Sequence, residues 1–134
     1  MTNPPPIAKP QSWIFTIPID VAEASPNRNL HHMARARIAR VHREAAWLCW
    51  HKAGRPVARC RVRLDVTLYR GRTMDEFNAL ACVKHVIDGL CVKALTPDDS
   101  PTWVAHGTIT QQTGPDYHRA PVVVITATEL MEGR

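Results

Sequence analysis

From Arg59 to Leu68 the sequence alternates without a fault. Cys60, Val62, Leu64, Val66 and Leu68 take one side, and Arg59, Arg61, Arg63, Asp65 and Thr67 the other. A period of two is a β-strand with one buried face, and its other face here is basic. The flanking segments have a different period. Leu30, Ala34, Ile38, Val41, Ala45 and Leu48 recur at steps of three and four, which predicts an amphipathic helix of about 24 residues. Gly54 and Pro56 end it. Leu80, Val83, Ile87, Leu90 and Cys91 form a second stripe and predict a helix from about Glu76 to Lys93. A half-buried strand between two amphipathic helices requires a sheet with helices packed on it.

The remaining segments complete that architecture. Trp13-Ile14-Phe15-Thr16-Ile17-Pro18 reads as a strand, and Pro18 suits a sheet edge or a strand end. Ser25-Pro26-Asn27-Arg28-Asn29 is turn and helix-cap chemistry. Thr96 to Pro101 is a turn-rich connection. Two more strands are expected, roughly 103–111 and 121–128, joined by a loop at Gly114-Pro115. The order is β-α-β-α-β-β, a single α+β domain with a small mixed sheet, two helices and no internal repeat. Residues 1–11, with Pro4, Pro5, Pro6 and Pro10, read as an extended arm, 12–130 as the domain and 131–134 as a tail.

With 134 residues and 45% hydrophobic content, the chain is neither disordered nor too small to fold without a disulfide or metal staple. No apolar run approaches the roughly 20 residues of a membrane span, and the start lacks a signal-peptide core. A cytoplasmic protein without a membrane partner or small-molecule cofactor is expected. Cys49, Cys60, Cys82 and Cys91 contain no CxxC pair and sit in apolar patterns, as small core residues do in a reducing compartment.

The net charge of +5 is unevenly divided. Asn27 to Arg72 holds eleven Arg and one Lys against Glu44 and Asp65, a net +10, while the remainder nets −5. A basic half joined to an acidic half suggests a polyanion partner and a separate site that uses carboxylates. The preference for Arg suits bidentate phosphate contacts. The alternative is a solvated, charged surface.

Lys84 falls inside the second helix's apolar stripe, a costly place for an ammonium without an acidic partner. Asp88 is one turn on, Asp75 and Glu76 lie at the helix start, and Asp98 and Asp99 follow in the loop. Carboxylates gathered from a helix start and a loop are the oxygen ligands Mg²⁺ requires. In phosphodiester cleavage, a nearby lysine then neutralises developing charge. Each residue also has a simpler role. Asp75 can cap the helix, Glu76 can complement its dipole, Asp98 and Asp99 can form the turn, and Lys84 can pair with Asp88.

Arg72-Thr73-Met74-Asp75-Glu76-Phe77-Asn78, Lys84, Asp88-Gly89-Leu90 and Pro97-Asp98-Asp99-Ser100-Pro101 together resemble the RusA family of Holliday-junction resolvases, particularly its phage and prophage members. Ser25-Pro26-Asn27, His32 and the Arg-rich run from Arg35 extend the likeness over about residues 13–128. The resemblance implies a homodimeric, Mg²⁺-dependent endonuclease for branched DNA in recombination and repair, with Mn²⁺ as a possible substitute. It implies catalytic roles for Asp75, Lys84 and Asp99, and metal roles for Asp75, Asp99, Asp98 and Glu76. DNA contacts are expected from Asn27, His32 and Asn78, from Arg35, Arg37 and Arg40, and from Arg61, Arg63, Arg70 and Arg72. Phe77 stands where the family pattern has its second acid, and a phenyl ring binds no metal. Either Glu76 substitutes for it, or the chain keeps the fold and binds branched DNA without cutting. A small helix-turn-helix regulator fits poorly, because no short second recognition helix follows the first helix.

Overall fold

The alternating segment forms a central strand. In the computed structural model, which describes residues 9–112 and 119–131, this strand, β2, is Val62–Tyr69. Its Val62, Leu64, Val66 and Leu68 are all buried. The strand β4 (Val122–Glu129) lies antiparallel on one side of it, and β3 (Val104–Gln112) lies parallel on the other. The strand β1 (Ser12–Ile17) pairs antiparallel with β4, giving a four-stranded mixed sheet in the order β1-β4-β2-β3. β1 is therefore an edge strand, as Pro18 suggested. Residues 1–8 of the proline-rich arm, the Gly114-Pro115 loop and residues 132–134 lie outside the described residues.

The helix α1 (His32–Lys52) starts at His31, whose Nδ1 accepts from the Met33 N–H at 3.2 Å. It ends where Gly54 and Arg55 adopt φ of 93° and 55°. Its buried face differs from the expected stripe. Ala39, His42, Ala46 and Trp50 face the core, while Val41 and Leu48 are exposed. The cause is a close helix crossing. A Cβ on Gly89 would lie 2.2 Å from the Arg43 carbonyl oxygen and 2.7 Å from its Cα. Backbones that close demand small residues around the contact, so the bulkier side chains face outward. His42 is fully buried and stays polar by placing its Nε2 3.2 Å from the Glu23 carboxylate.

The second helix is broken, contrary to the expectation of one helix reaching Lys93. Its parts are α2 (Glu76–Cys82) and α3 (Lys84–Leu90), separated at Val83. A wider turn follows at Cys91–Leu95, where Val92, Lys93 and Ala94 leave helical geometry and Lys93 has φ of 54°. Ala79, Cys82, Val83, Val86 and Leu90 are buried, whereas Leu80 is exposed. The real stripe thus excludes Lys84, whose side chain is 67% exposed.

The core joins Phe15, Ile17, Leu64, Leu68 and Ile125 of the sheet to Ala46, Trp50, Val86 and Leu90 of the helices. Cys82 and Cys91 belong to it, and all four cysteines are free thiols. Burial pushes the Cys91 thiol up to about 12. At the far end of β4, Glu129 is buried and held by Arg59. Among the described residues no helix is long and apolar enough to cross a membrane.

Candidate active site

Helix α3 presents Lys84 and Asp88 one turn apart, and the Lys84 Nζ donates to Asp88 Oδ2 at 3.4 Å. The turn after α3 delivers Asp99 to the same place. Buried Thr96 organises that turn, its Oγ1 reaching the carbonyls of Cys91 at 2.9 Å and Asp98 at 2.8 Å. Asp98 Oδ1 accepts from the Ser100 N–H at 2.9 Å, and hydrogen bonding from the Ser100 side chain and then its backbone N–H lowers the Asp98 carboxyl below its ordinary range. Asp99, next in the chain, is left to meet Asp88.

Burial, and then a hydrogen bond to Asp99, push the Asp88 carboxyl above the ordinary carboxylate range, with Lys84 opposing. Two open clefts meet at this group. One, about 540 Å³, is bounded by Arg43, Trp47, Lys84, Asp88, Val92 and Asp99. The other, about 370 Å³, adds Leu80, Ile87 and His106 to the same lysine and carboxyls. The Gly89 crossing fixes the relation of the first wall to the pair, because it sets the Arg43 backbone directly against α3.

Asp75 lies elsewhere. Its Oδ1 accepts from the Asn78 N–H at 2.9 Å and caps α2. It lines a separate hollow of about 230 Å³ with Pro26, Asn27, Phe77 and Asn78. The whole of α2 and the break at Val83 lie between it and Lys84. Glu76 is exposed in the first turn of α2, and Phe77 is 87% exposed. Asn78 Oδ1 accepts from Ser25 Oγ at 2.8 Å, tying the turn that carries Asn27 to α2. Of the expected catalytic set, Lys84 and Asp99 share the clefts and Asp75 does not. The expected metal acids Asp75, Glu76, Asp98 and Asp99 are likewise not gathered at one point. Among the described residues, no three His, Cys, Asp or Glu side chains converge in a metal-binding arrangement.

The arginines divide into two groups. Several brace the fold. Arg35 donates to the carbonyls of Ser25, Pro26 and Arg28. Arg70 pairs with Asp20 at 3.4 Å and donates to the Arg72 carbonyl at 2.7 Å. Arg63 pairs with Asp65 at 3.0 Å, and Arg59 Nη2 meets Glu129 Oε1 at 2.6 Å. Arg61 is half-buried just before β2. By contrast, Arg37, Arg40 and Arg43 stand exposed along α1, as does Arg72 beyond β2. His32 is exposed at the α1 start, its ring 4.2 Å from that of His31.

Asp88, Arg43, Trp47 and His106 join the site without having been singled out as site residues. Of these, Asp88 is signalled by its i, i+4 spacing from Lys84, by its place among the gathered carboxylates and by the Asp88-Gly89-Leu90 run, whereas Arg43, Trp47 and His106 have no such signal. Compared with known proteins, the chain matches no family model and no curated protein.

Proposed function

We propose that this protein is a metal-dependent, structure-selective endodeoxyribonuclease of RusA type that cleaves branched DNA such as four-way junctions. The observation that carries this reading is that Asp88 and Asp99 line the same two clefts, with the Lys84 Nζ donating to Asp88 between them. Carboxyls forced together need a compensating positive charge, and a proton or a divalent cation supplies it. Mg²⁺ characteristically binds through one or two carboxylates, with water and substrate phosphate completing its shell. The pair fits that chemistry, so Asp88 and Asp99 would hold Mg²⁺, or Mn²⁺ in its place. The bound ion supplies polarisation of the scissile phosphate and an acidified water.

Lys84 neutralises charge building on the phosphate oxygens, and Arg43 grips the same phosphate from the opposite wall. Arg37 and Arg40 extend that contact along α1 at helical spacing. Such backbone contacts carry no sequence information, which suits a junction recognised by shape. Asp75 acts on the DNA side, through the cap and the Ser25–Asn78 bond that set the turn bearing Asn27. A homodimer would present two such sites for paired cuts across a two-fold junction. Exposed Val41 and Leu48, seven residues apart on α1, offer apolar surface for that contact. The setting is recombination or repair in a bacterial or phage-infected cytoplasm.

A second reading, a binder of branched DNA that does not cut, is favoured by Phe77 at an acid's position and by Asp75's commitment to capping. The two separate in a cleavage assay on a labelled four-way junction with Mg²⁺ or Mn²⁺. Cutting by wild type that disappears in Asp88→Asn and Asp99→Asn supports the nuclease. No cutting by wild type, with cutting gained by Phe77→Asp, establishes the binder. Inactivity of every variant, with binding indifferent to salt, removes both.

A further inference from the structure

We infer that the larger cleft contains a nucleobase-binding platform, the indole of Trp47, which takes one unstacked base beside the Asp88–Asp99 pair. The chemistry-bearing wall of this cleft comes from α3, and Trp47 of α1 stands on the other wall with Arg43. An indole left 38% exposed in a cleft beside a lysine and an arginine is an unusual use of a large apolar surface.

The ring is supported for this role. The His51 imidazole stacks on it at 5.1 Å between centroids and only 7° between planes. The Arg55 guanidinium lies 5.6 Å from the Trp47 centroid and 5.8 Å from that of Trp50. Arg55 Nε also donates to His51 Nδ1 at 2.8 Å, binding the group together. This arrangement uses Arg55 in the left-handed region, φ 55°, a conformation that costs free energy in a residue with a side chain. Trp47 itself lines the cleft, and neither His51 nor Arg55 is among the residues that do.

An exposed aromatic ring next to cationic side chains is the arrangement that binds an unpaired nucleotide. The base stacks on the π-face, and the adjoining phosphate meets Arg43 and Lys84. Paired DNA has no free base face to offer, so the platform selects open branch points over duplex. This deepens the nuclease reading, on which the placing of the base beside the scissile phosphate rests. Base binding itself is separately measurable.

The test uses a single-stranded oligonucleotide containing 2-aminopurine and a duplex of the same sequence, both with Ca²⁺ to prevent cutting. Full-length wild type, Trp47→Ala, Trp47→Leu and Trp47→Phe are compared, each checked for cooperative unfolding. Wild type should quench the fluorophore, and Trp47→Phe should retain most of that effect. Trp47→Ala and Trp47→Leu should lose the quenching and bind the single strand roughly 5- to 150-fold more weakly. Their duplex affinity should be unchanged. Equal quenching by wild type and Trp47→Leu overturns the platform, as does failure of wild type to bind the oligonucleotide. Loss of quenching in Trp47→Leu in a protein that never cuts junctions retains the platform and rejects the nuclease. Cutting with Trp47 dispensable does the reverse.

Discussion

Removing the carboxylate at Glu129 should cost this protein a large share of its stability, and the cost should vanish in acid. The Glu129 side chain is 0% exposed, and its oxygens accept from the Arg59 guanidinium and from the backbone N–H groups of Arg59 and Gln11. The Arg59 hydrogen bonds, working against burial, bring its pKa from 4.5 down to about 2. At about 1.4 kcal/mol per unit, that depression corresponds to about 3 kcal/mol. Arg59 is 42% exposed, and solvent screening on that side reduces the figure to about 2 kcal/mol. Because the folded-state pKa is lowered, this stability is complete above the unfolded value near 4.5 and disappears as pH falls through about 2. Urea unfolding of wild type and Glu129→Gln at pH 7, 5 and 2.5 measures it. With a urea slope of about 1–3 kcal/mol per molar, the midpoints should differ by roughly 1–2 M at pH 7 and should converge toward pH 2.5. A gap that stays constant with pH would refute the argument, because the loss would then come from shape alone.

Gly89→Ala should destabilise by about 1–3 kcal/mol or more, since its Cβ meets backbone rather than a movable side chain; an unchanged Tm would show that the helices do not cross there. Asp99→Asn should raise Tm increasingly from pH 4.5 to pH 8. The raised Asp88 pKa means that wild type loses stability as pH rises through it, and the substitution removes part of that loss. In the same scans, Mg²⁺ should stabilise wild type at pH 8 but not Asp99→Asn, and equal stabilisation would place the ion elsewhere. In DNA titrations over salt, Arg37→Gln and Arg40→Gln should each reduce the log–log slope by about 1, whereas Arg63→Gln should leave it unchanged.

The parts of the fold legible in the sequence were those governed by one residue's own preference. Alternation from Val62 to Leu68 gave a half-buried strand, and Pro18, read as a sheet edge or a strand end, directly follows the edge strand β1. Helical faces were read less well, because periodicity weighs size and apolarity while a close crossing weighs smallness. Gly89 against Arg43 draws Ala39 and Ala46 inward and leaves Val41 and Leu48 outside. Buried His42 was invisible as core because its partner, Glu23, is 19 residues away in sequence. Lys84 was singled out for its place in the apolar stripe; its side chain lies outside that stripe, exposed and paired with Asp88, and it lines the clefts with Asp99. The separation of Asp75 from Asp99 depends on chain direction through the Cys91–Leu95 turn, which no local pattern encodes.

The division of the arginines also governs what a distant polyanion feels. Arg59 with Glu129, Arg63 with Asp65 and Arg70 with Asp20 are each a cation locked to an anion. From afar such a pair is a dipole, whose potential falls off faster than that of a lone charge. Among the described residues Arg37, Arg40 and Arg43, exposed on α1, are in no ion pair, so their charge reaches further than that of the paired arginines. A polyanion approaching the molecule would therefore be drawn toward the α1 side before any contact forms, and toward the cleft at which Arg43 ends the row.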